Sequence, residues 1–212
     1  MQLRARAALA PAAPARLSVA ALLCAIGVIA VGTALNYLWH SYTPTFVVRE
    51  LHLPLSSALG VTTVAGVVAI VAYPMAGWLA DRVGAFRMFF PVVIAFTLAA
   101  WPLYRYLVEA PSVERLLVTQ VIATLFLSLM SGPHPGMLSA LFPTALRSTG
   151  IALSYNIAVT VFGGLAPVTV TWLIATSGDP MMPAYYQVIV AVFSLVVVGA
   201  TASAWRGIDR RG

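Results

Sequence analysis

The chain has 212 residues, of which 61% are hydrophobic and 8% are charged, and its formal net charge is +6. A soluble domain could not bury that share of apolar side chains, so the composition excludes an ordinary soluble protein and indicates one that the bilayer solvates. The basic residues are all arginines scattered between apolar runs, a pattern that argues against a nucleic-acid partner. The single cysteine, Cys24, excludes an intrachain disulfide.

Six apolar runs follow an Ala/Pro/Arg-rich segment at the start of the chain. About 20 residues at a rise of about 1.5 Å cross the hydrocarbon core, so each run can span it as a helix. Helices are required because lipid offers the backbone no hydrogen-bond partners. We therefore predict an all-α polytopic membrane protein with one six-helix bundle. The predicted parts are an N-terminal segment over 1–16, spans over 17–39, 56–80, 86–107, 113–142, 150–176 and 185–205, and a tail over 206–212.

The arginines are distributed unequally between the two sides that these spans define. If the N-terminus is inside, only Arg49, Arg105 and Arg115 face outward. Cytoplasmic loops carry an excess of basic residues, so we expect both termini in the cytoplasm. The arginines expected inside are Arg4, Arg6, Arg16, Arg82, Arg87, Arg147, Arg206, Arg210 and Arg211.

A hydrophilic signature joins the second and third runs, reading Gly-Trp-Leu-Ala-Asp-Arg-Val-Gly-Ala-Phe-Arg over residues 77–87. It resembles the loop motif of the major facilitator superfamily, Gly-x-Leu-Ala-Asp-Arg-x-Gly-Arg-Arg. Gly77, Asp81, Arg82 and Gly84 match the motif, and Arg87 is displaced along the chain. The resemblance implies half of a major facilitator fold and a cytoplasmic gate in which Asp81 pairs with a nearby arginine. The alternative is a tight turn with topogenic charges.

A second resemblance covers nearly the whole chain. The stretches 142–147, 150–156, 162–167 and 183–186 are similar to the metabolite:proton symporter family. The stretches 42–46, 100–102 and 110–112 are similar to its citrate/tricarballylate–proton branch. They correspond to its C-terminal six helices. The resemblance implies proton-coupled secondary transport of a citrate-like di- or tricarboxylate in a bacterial inner membrane. It also implies a partner, either an N-terminal six-helix half or a second copy in a homodimer.

One departure from that family touches the cytoplasmic gate. Members usually carry Glu at the position of Ala140, where it can pair with a basic residue such as Arg147. The displacement of Arg87 is a second departure from the usual pattern of charges at this gate. We therefore expect Arg147 to belong to the gate without the acidic partner that the family usually supplies.

Few polar residues lie within the spans, and none of them is Asp, Glu or Arg at mid-span. His134 stands between Pro133 and Pro135, where it could titrate, hydrogen-bond a substrate carboxylate, or simply be satisfied by a neighbouring carbonyl. Four further polar residues could face a central cavity between two halves, or could make interhelical hydrogen bonds. The predicted substrate or proton pathway is Asn36, Tyr37, His134, Tyr155 and Asn156.

Other classes of function receive less support. The spans contain no metal-binding cluster and no Ser–His arrangement, so we expect neither an enzyme nor a cofactor or metal. The expected partners are the bilayer, a small organic acid and protons. A non-transporting membrane scaffold, or an inactive remnant of a transporter, remains the alternative. The aromatic pair Trp39 and Tyr42, with His40, is interpreted as a set of interface anchors.

Overall fold

A computed structural model describes residues 17–206. The expectations for the segment 1–16 and for Arg210 and Arg211 concern residues outside this range. The described residues fold into six helices long and apolar enough to cross a membrane, followed by a short α7 (Ala202–Trp205), which confirms the predicted all-α class. The six are α1 (Val19–Arg49), α2 (Leu55–Val83), α3 (Ala85–Glu109), α4 (Val113–Leu141), α5 (Thr144–Ser177) and α6 (Met182–Ala200).

Local residues account for where these helices begin and end. Ser18 and Ser112 cap α1 and α4, because each hydroxyl accepts a hydrogen bond from an amide in the first turn. Gly84 and Gly178 end α2 and α5 with positive φ angles of 98° and 71°. Residues with a side chain rarely adopt this backbone conformation, so glycine is favoured at both ends. The short connections alternate the helix directions. We call the end of the bundle where α1, α3 and α5 finish the outer end, and the opposite end the inner end.

α1 is longer than predicted. The sequence suggested an end at Trp39, but the helix continues to Arg49 through a π-helical segment, Tyr37–Tyr42. Trp39 and Tyr42 are buried, so their interpretation as interface anchors was wrong. The reason is that these large side chains pack inside the bundle, which lets the helix continue past a cluster of polar and aromatic residues.

α1 is the centre of the bundle. In its most apolar stretch 61% of the residues are buried, against 17% in α2. α1 packs against α5 and α6, α2 packs against α4, and α3 packs against α4 and α6. Small residues allow the closest crossings: a Cβ on Gly132 would lie 2.9 Å from both the Tyr73 carbonyl oxygen and the Ala76 Cβ. The arrangement leaves the facing surfaces of α1, α2, α4 and α5 to form one concave side.

Candidate functional site

A cavity of about 330 Å³ opens on the concave side of the bundle. Four of the five predicted pathway residues line it, namely Asn36, Tyr37, His134 and Tyr155. They come from α1, α4 and α5, so residues about 100 positions apart in the chain meet here. The remaining lining residues are Ile29, Gly32, Thr33, Tyr73, Ser131, Pro135 and Val159.

His134 lies at an interruption of α4. The first part of that helix ends at Ser131, and a second part, His134–Leu141, begins after Pro133. Pro133 cannot donate a backbone hydrogen bond, so the helix breaks where the histidine must enter the cavity. The imidazole packs against α1 at Gly32, where a Cβ would come within 2.6 Å of its Cε1 atom. Only glycine permits this close approach, and the contact with α1 restricts the position of the ring.

One imidazole nitrogen of His134, Nε2, is buried without a hydrogen-bond partner among the described residues. The residue as a whole is partly exposed at the cavity wall. An unpartnered polar atom in an apolar interior costs free energy and demands an explanation. A ligand or proton that arrives from the cavity would change the hydrogen bonding of this ring.

Tyr73 is a cavity residue that the sequence did not single out. It lies on α2 directly before Pro74, and its hydroxyl is beside the side chains of Asn36 and Ser131. These three polar side chains therefore come from α2, α1 and α4. The only signal in the sequence was a tyrosine beside a proline within an apolar run, which does not distinguish a cavity residue from one that packs or faces lipid.

Asn156 does not line this cavity. It is exposed on another face of α5, beside Ser148 and Thr149, and its Nδ2 atom donates a hydrogen bond of 2.7 Å to the Ala152 carbonyl oxygen. Neighbouring residues of an α-helix point about 100° apart, so Tyr155 and Asn156 cannot face the same point. Its place in a transport pathway stays a prediction.

The chemistry of the cavity wall is neutral. Among the described residues that line it, the polar groups are hydroxyls, one amide and one imidazole, without Asp, Glu or Arg. Hydroxyl and amide groups can donate hydrogen bonds to a carboxylate, and tyrosine rings can face a cationic group. The groups of this wall can hydrogen-bond a small polar molecule but cannot neutralise a net charge.

A second polar cluster lies deeper, near the outer end. The Trp39 indole donates to Gln187 Oε1 at 3.3 Å, Gln187 Nε2 donates to the Tyr104 hydroxyl at 3.0 Å, and the Gln120 amide donates to the Trp39 carbonyl oxygen. All four residues are buried. The cluster joins α1, α3, α4 and α6, so its evident role is to fix these helices. Sequence reasoning missed both glutamines.

The loop motif lies at the inner end between α2 and α3. Gly77 and Asp81 lie in the last turns of α2, Gly84 forms the turn that follows, and Asp81 is exposed. The Arg82 guanidinium lies 3.8 Å from the centre of the Trp78 ring, so it stacks on that ring. Of the described residues, none forms an ion pair with Asp81. The predicted gate pairing of Asp81 with Arg82 or Arg87 is a property of a conformational cycle, and it stays a prediction.

Arg147 begins the α-helical part of α5 at the same end of the bundle. The side chain is half-buried, and its Nε atom is buried without a hydrogen-bond partner in the described range 17–206. Ala140, where an acidic partner was expected from the family pattern, is exposed and carries no acceptor in its side chain. The role of Arg147 in the gate stays a prediction.

We expect Asp81→Asn to leave membrane insertion and abundance nearly unchanged, because Asp81 is exposed. In a complete transporter it should slow turnover by about two- to fivefold, since the ion pair that we predict for the gate would then be lost. The measurement is the initial uptake rate together with thiol labelling of a cysteine placed at Pro143, after Cys24→Ala. Asp179→Asn, at the outer end, is the matched control. Unchanged uptake and labelling in Asp81→Asn would leave the loop as a topogenic turn.

Comparison with known proteins agrees with this architecture. A family profile described as "Sugar (and other) transporter" matches residues 15–202. The chain belongs to this transporter family, within the major facilitator superfamily. No solved structure gives a significant match.

Individual relatives of this transporter differ in their named substrates. The chain is 30% identical over 168 residues to a citrate-proton symporter of Klebsiella pneumoniae, covering 79% of the chain and 38% of the relative. It is 27% identical over 167 residues to a citrate-proton symporter of Salmonella typhi, covering 79% and 38%. It is also 27% identical over 175 residues to a proline/betaine transporter of Salmonella typhimurium, covering 82% and 35%. The chain therefore spans well under half the length of these relatives.

Proposed function

We propose that the chain is the C-terminal half of a major facilitator transporter that moves a small, citrate-like organic acid together with protons. The observation that carries this proposal is the cavity in which His134, Asn36, Tyr37, Tyr73 and Tyr155 converge from four helices. Secondary transporters bind substrate near the bilayer midplane between their repeats. The hydrogen-bond donors of this wall suit carboxylate oxygens, and His134 supplies the one imidazole among them, the side-chain type that proteins use most often to carry protons.

The surface of α5 supports a missing partner. One row of residues on α5, spaced four positions apart, is exposed, and each of its members is small or polar. Asn156 lies at the centre of this face. Polar side chains in the hydrocarbon region face protein or water, not lipid. A second six-helix half, or a second copy of this chain, would cover them and complete the cavity. The face consists of Ser148, Ala152, Asn156, Thr160 and Gly164.

A zwitterionic substrate is the second candidate. The described residues of the cavity wall include three tyrosines and no charged side chain, and tyrosine rings attract quaternary ammonium groups. One relative is named as a proline/betaine transporter. The same wall could thus bind the cationic end of a betaine-like molecule, leaving its carboxylate to the other half.

Uptake into proteoliposomes tests these alternatives. The chain is reconstituted with a candidate six-helix partner half, and uptake of labelled citrate, glycine betaine and proline is measured under an imposed proton gradient. Uptake of citrate that unlabelled tricarballylate inhibits supports the organic-acid proposal. Uptake of betaine alone supports the zwitterion. If no substrate is moved although the two halves assemble, the chain is a scaffold or an inactive remnant.

The orientation in the membrane is part of the proposal. With the inner end in the cytoplasm, nine arginines lie inside and three outside. We expect a reporter fused after Gly212 to be active on the cytoplasmic side, and the same reporter inserted beside Glu109 to be active outside. A bacterial inner membrane is the expected host. If both reporters are active on the same side, the six-span topology is wrong.

A further inference from the structure

α1 and α5 share an interruption that the cavity alone does not explain. Each contains a six-residue π-helical segment, Tyr37–Tyr42 in α1 and Val159–Gly164 in α5. π turns are rare in proteins, and those that do occur are often found at functional sites. An α-helical outer part follows each segment, directly in α1 and after Leu165 in α5, and it carries Pro44 or Pro167 in its first turn. Because proline has no amide hydrogen, each outer part lacks one backbone bond to the segment before it.

The π segment of α5 packs against α1 at Gly163, where the π segment of α1 begins. A Cβ on this buried glycine would lie 2.8 Å from Thr33 Oγ1 and 2.9 Å from the Tyr37 ring. Such distances leave no room for a side chain. The next residue, Gly164, differs: the nearest atom to its Cβ position is the Val159 carbonyl oxygen, at an ordinary 3.7 Å. The contact between the helices therefore depends on one glycine of the pair.

Side-chain hydroxyls hold the irregular backbone in place. Thr43 Oγ1 donates to the Leu38 carbonyl oxygen at 3.0 Å, and the Tyr186 hydroxyl donates to the Phe162 carbonyl oxygen at 2.9 Å. The end of the α1 π segment is also linked to the outer part of α5, because the Tyr42 and Thr171 hydroxyls are hydrogen-bonded at 3.2 Å. This bond joins the last residue of one π segment to a residue beyond the other.

The π pair separates two concave regions. On its inner side the cavity is lined by Asn36 and Tyr155. On its outer side a shallow groove of about 420 Å³ runs between the two outer parts, lined by Tyr42, Thr171 and Trp172. A barrier between a substrate cavity and the outer end is the place where a transporter must open and close.

We propose that the two π segments form a paired hinge, about which the outer part of α5 (Ala166–Ser177) swings relative to its inner part. The Tyr42–Thr171 hydrogen bond latches the hinge in the arrangement observed. If a π turn becomes an α turn, the helix beyond it moves by one residue relative to the helix before it. One residue corresponds to a shift of about 1.5 Å along the helix axis and a rotation of about 100°. The gating role of the hinge rests on the proposed transport function, whereas the motion itself does not.

Spin-label distances in the full chain test the hinge. In a Cys24→Ala background in lipid nanodiscs, one pair of labels joins Ala175 at the outer end of α5 to Val113 at the start of α4. A second pair joins Ala152 in the inner part of α5 to Val83 at the end of α2. All four residues are exposed. Distances are measured by double electron–electron resonance, without substrate or partner half.

Two variants disturb the hinge by different routes. Gly163→Ala forces the π segments apart, with Gly164→Ala as its control. Tyr42→Phe removes the latch hydroxyl, with Tyr185→Phe as its control, since Tyr185 is exposed and its hydroxyl has no hydrogen bond to a described residue. We expect each hinge variant to add a second outer-pair distance, displaced by more than about 1.5 Å. The inner pair should keep a single distance, and both controls should match the parent.

Two results would overturn the hinge. One is an outer-pair distribution that neither variant changes; the other is an equal shift of both label pairs, which would mean that α5 moves as a rigid rod. If Gly163→Ala does not accumulate in the membrane, Tyr42→Phe decides the question alone. Because no transport is measured, a failure of the proposed function and a failure of the hinge give different results.

Discussion

Reconstituted alone, the 212-residue chain will not accumulate citrate or betaine against a gradient, whereas the chain with its partner half will. The cavity wall contributed by the described residues has no charged side chain, so a carboxylate bound there lacks a countercharge. Tyr155, on that wall, is 53% exposed. A site open on one side cannot shield a substrate from lipid or alternate between two faces. The measurement is accumulation of labelled substrate at equal protein density, with and without the partner half.

A second copy of the chain is the control that this experiment needs. Two copies would supply twelve helices, so uptake by the chain alone is compatible with a homodimer. Crosslinking through a cysteine at Thr160, on the exposed small and polar face of α5, would capture that dimer after Cys24→Ala. Val192→Cys on α6, which is exposed but lies among apolar residues, is the matched control position. Accumulation by a chain that stays monomeric at both positions would contradict the prediction.

The fold class could be predicted from hydropathy because the bilayer permits very few kinds of backbone structure to cross it. An apolar run long enough to cross the core must be a helix, so six runs predict six helices without any knowledge of packing. The end of α1 could not be predicted in this way. Asn36, Tyr37 and Trp39 looked like the end of a span, whereas the bundle buries Trp39 and continues the helix through a π segment. Tertiary packing, not local composition, decides that boundary.

The sequence predicted those cavity residues whose side chains are unusual within a membrane span. It did not predict those whose side chains are common there. His134 between two prolines stood out because an ionisable group within a span demands a reason. Tyr73 did not, because a tyrosine is common in apolar helices, and only the meeting of α2 with α1 and α4 brings its hydroxyl beside Asn36 and Ser131. Tyr155 and Asn156 were grouped as neighbours in the sequence. The helical rotation of about 100° per residue places them on different faces.

His134→Gln should reduce substrate accumulation by the complete transporter by more than about tenfold. A hydrogen bond to a charged ligand contributes about 1.5–3 kcal/mol, and about 1.4 kcal/mol is a factor of ten in an equilibrium constant. Glutamine can make a neutral hydrogen bond but cannot carry a proton at neutral pH, so the stronger bond from a charged imidazole is lost. It also fits the site more closely than alanine would, since the imidazole fills the space against Gly32. The measurements are accumulation driven by a proton gradient, and exchange of labelled for unlabelled substrate at equilibrium.

The two assays distinguish what the histidine does. If His134 carries the coupled proton, His134→Gln loses accumulation but retains exchange, because exchange needs no net proton movement. If it only binds substrate, both rates fall together. His52→Gln is the matched control, since His52 is exposed in the connection between α1 and α2, away from the cavity. Thermal stability of the purified variant separates either role from simple packing: a lowered melting temperature with both transport rates intact would make His134 a structural residue of the α4 break.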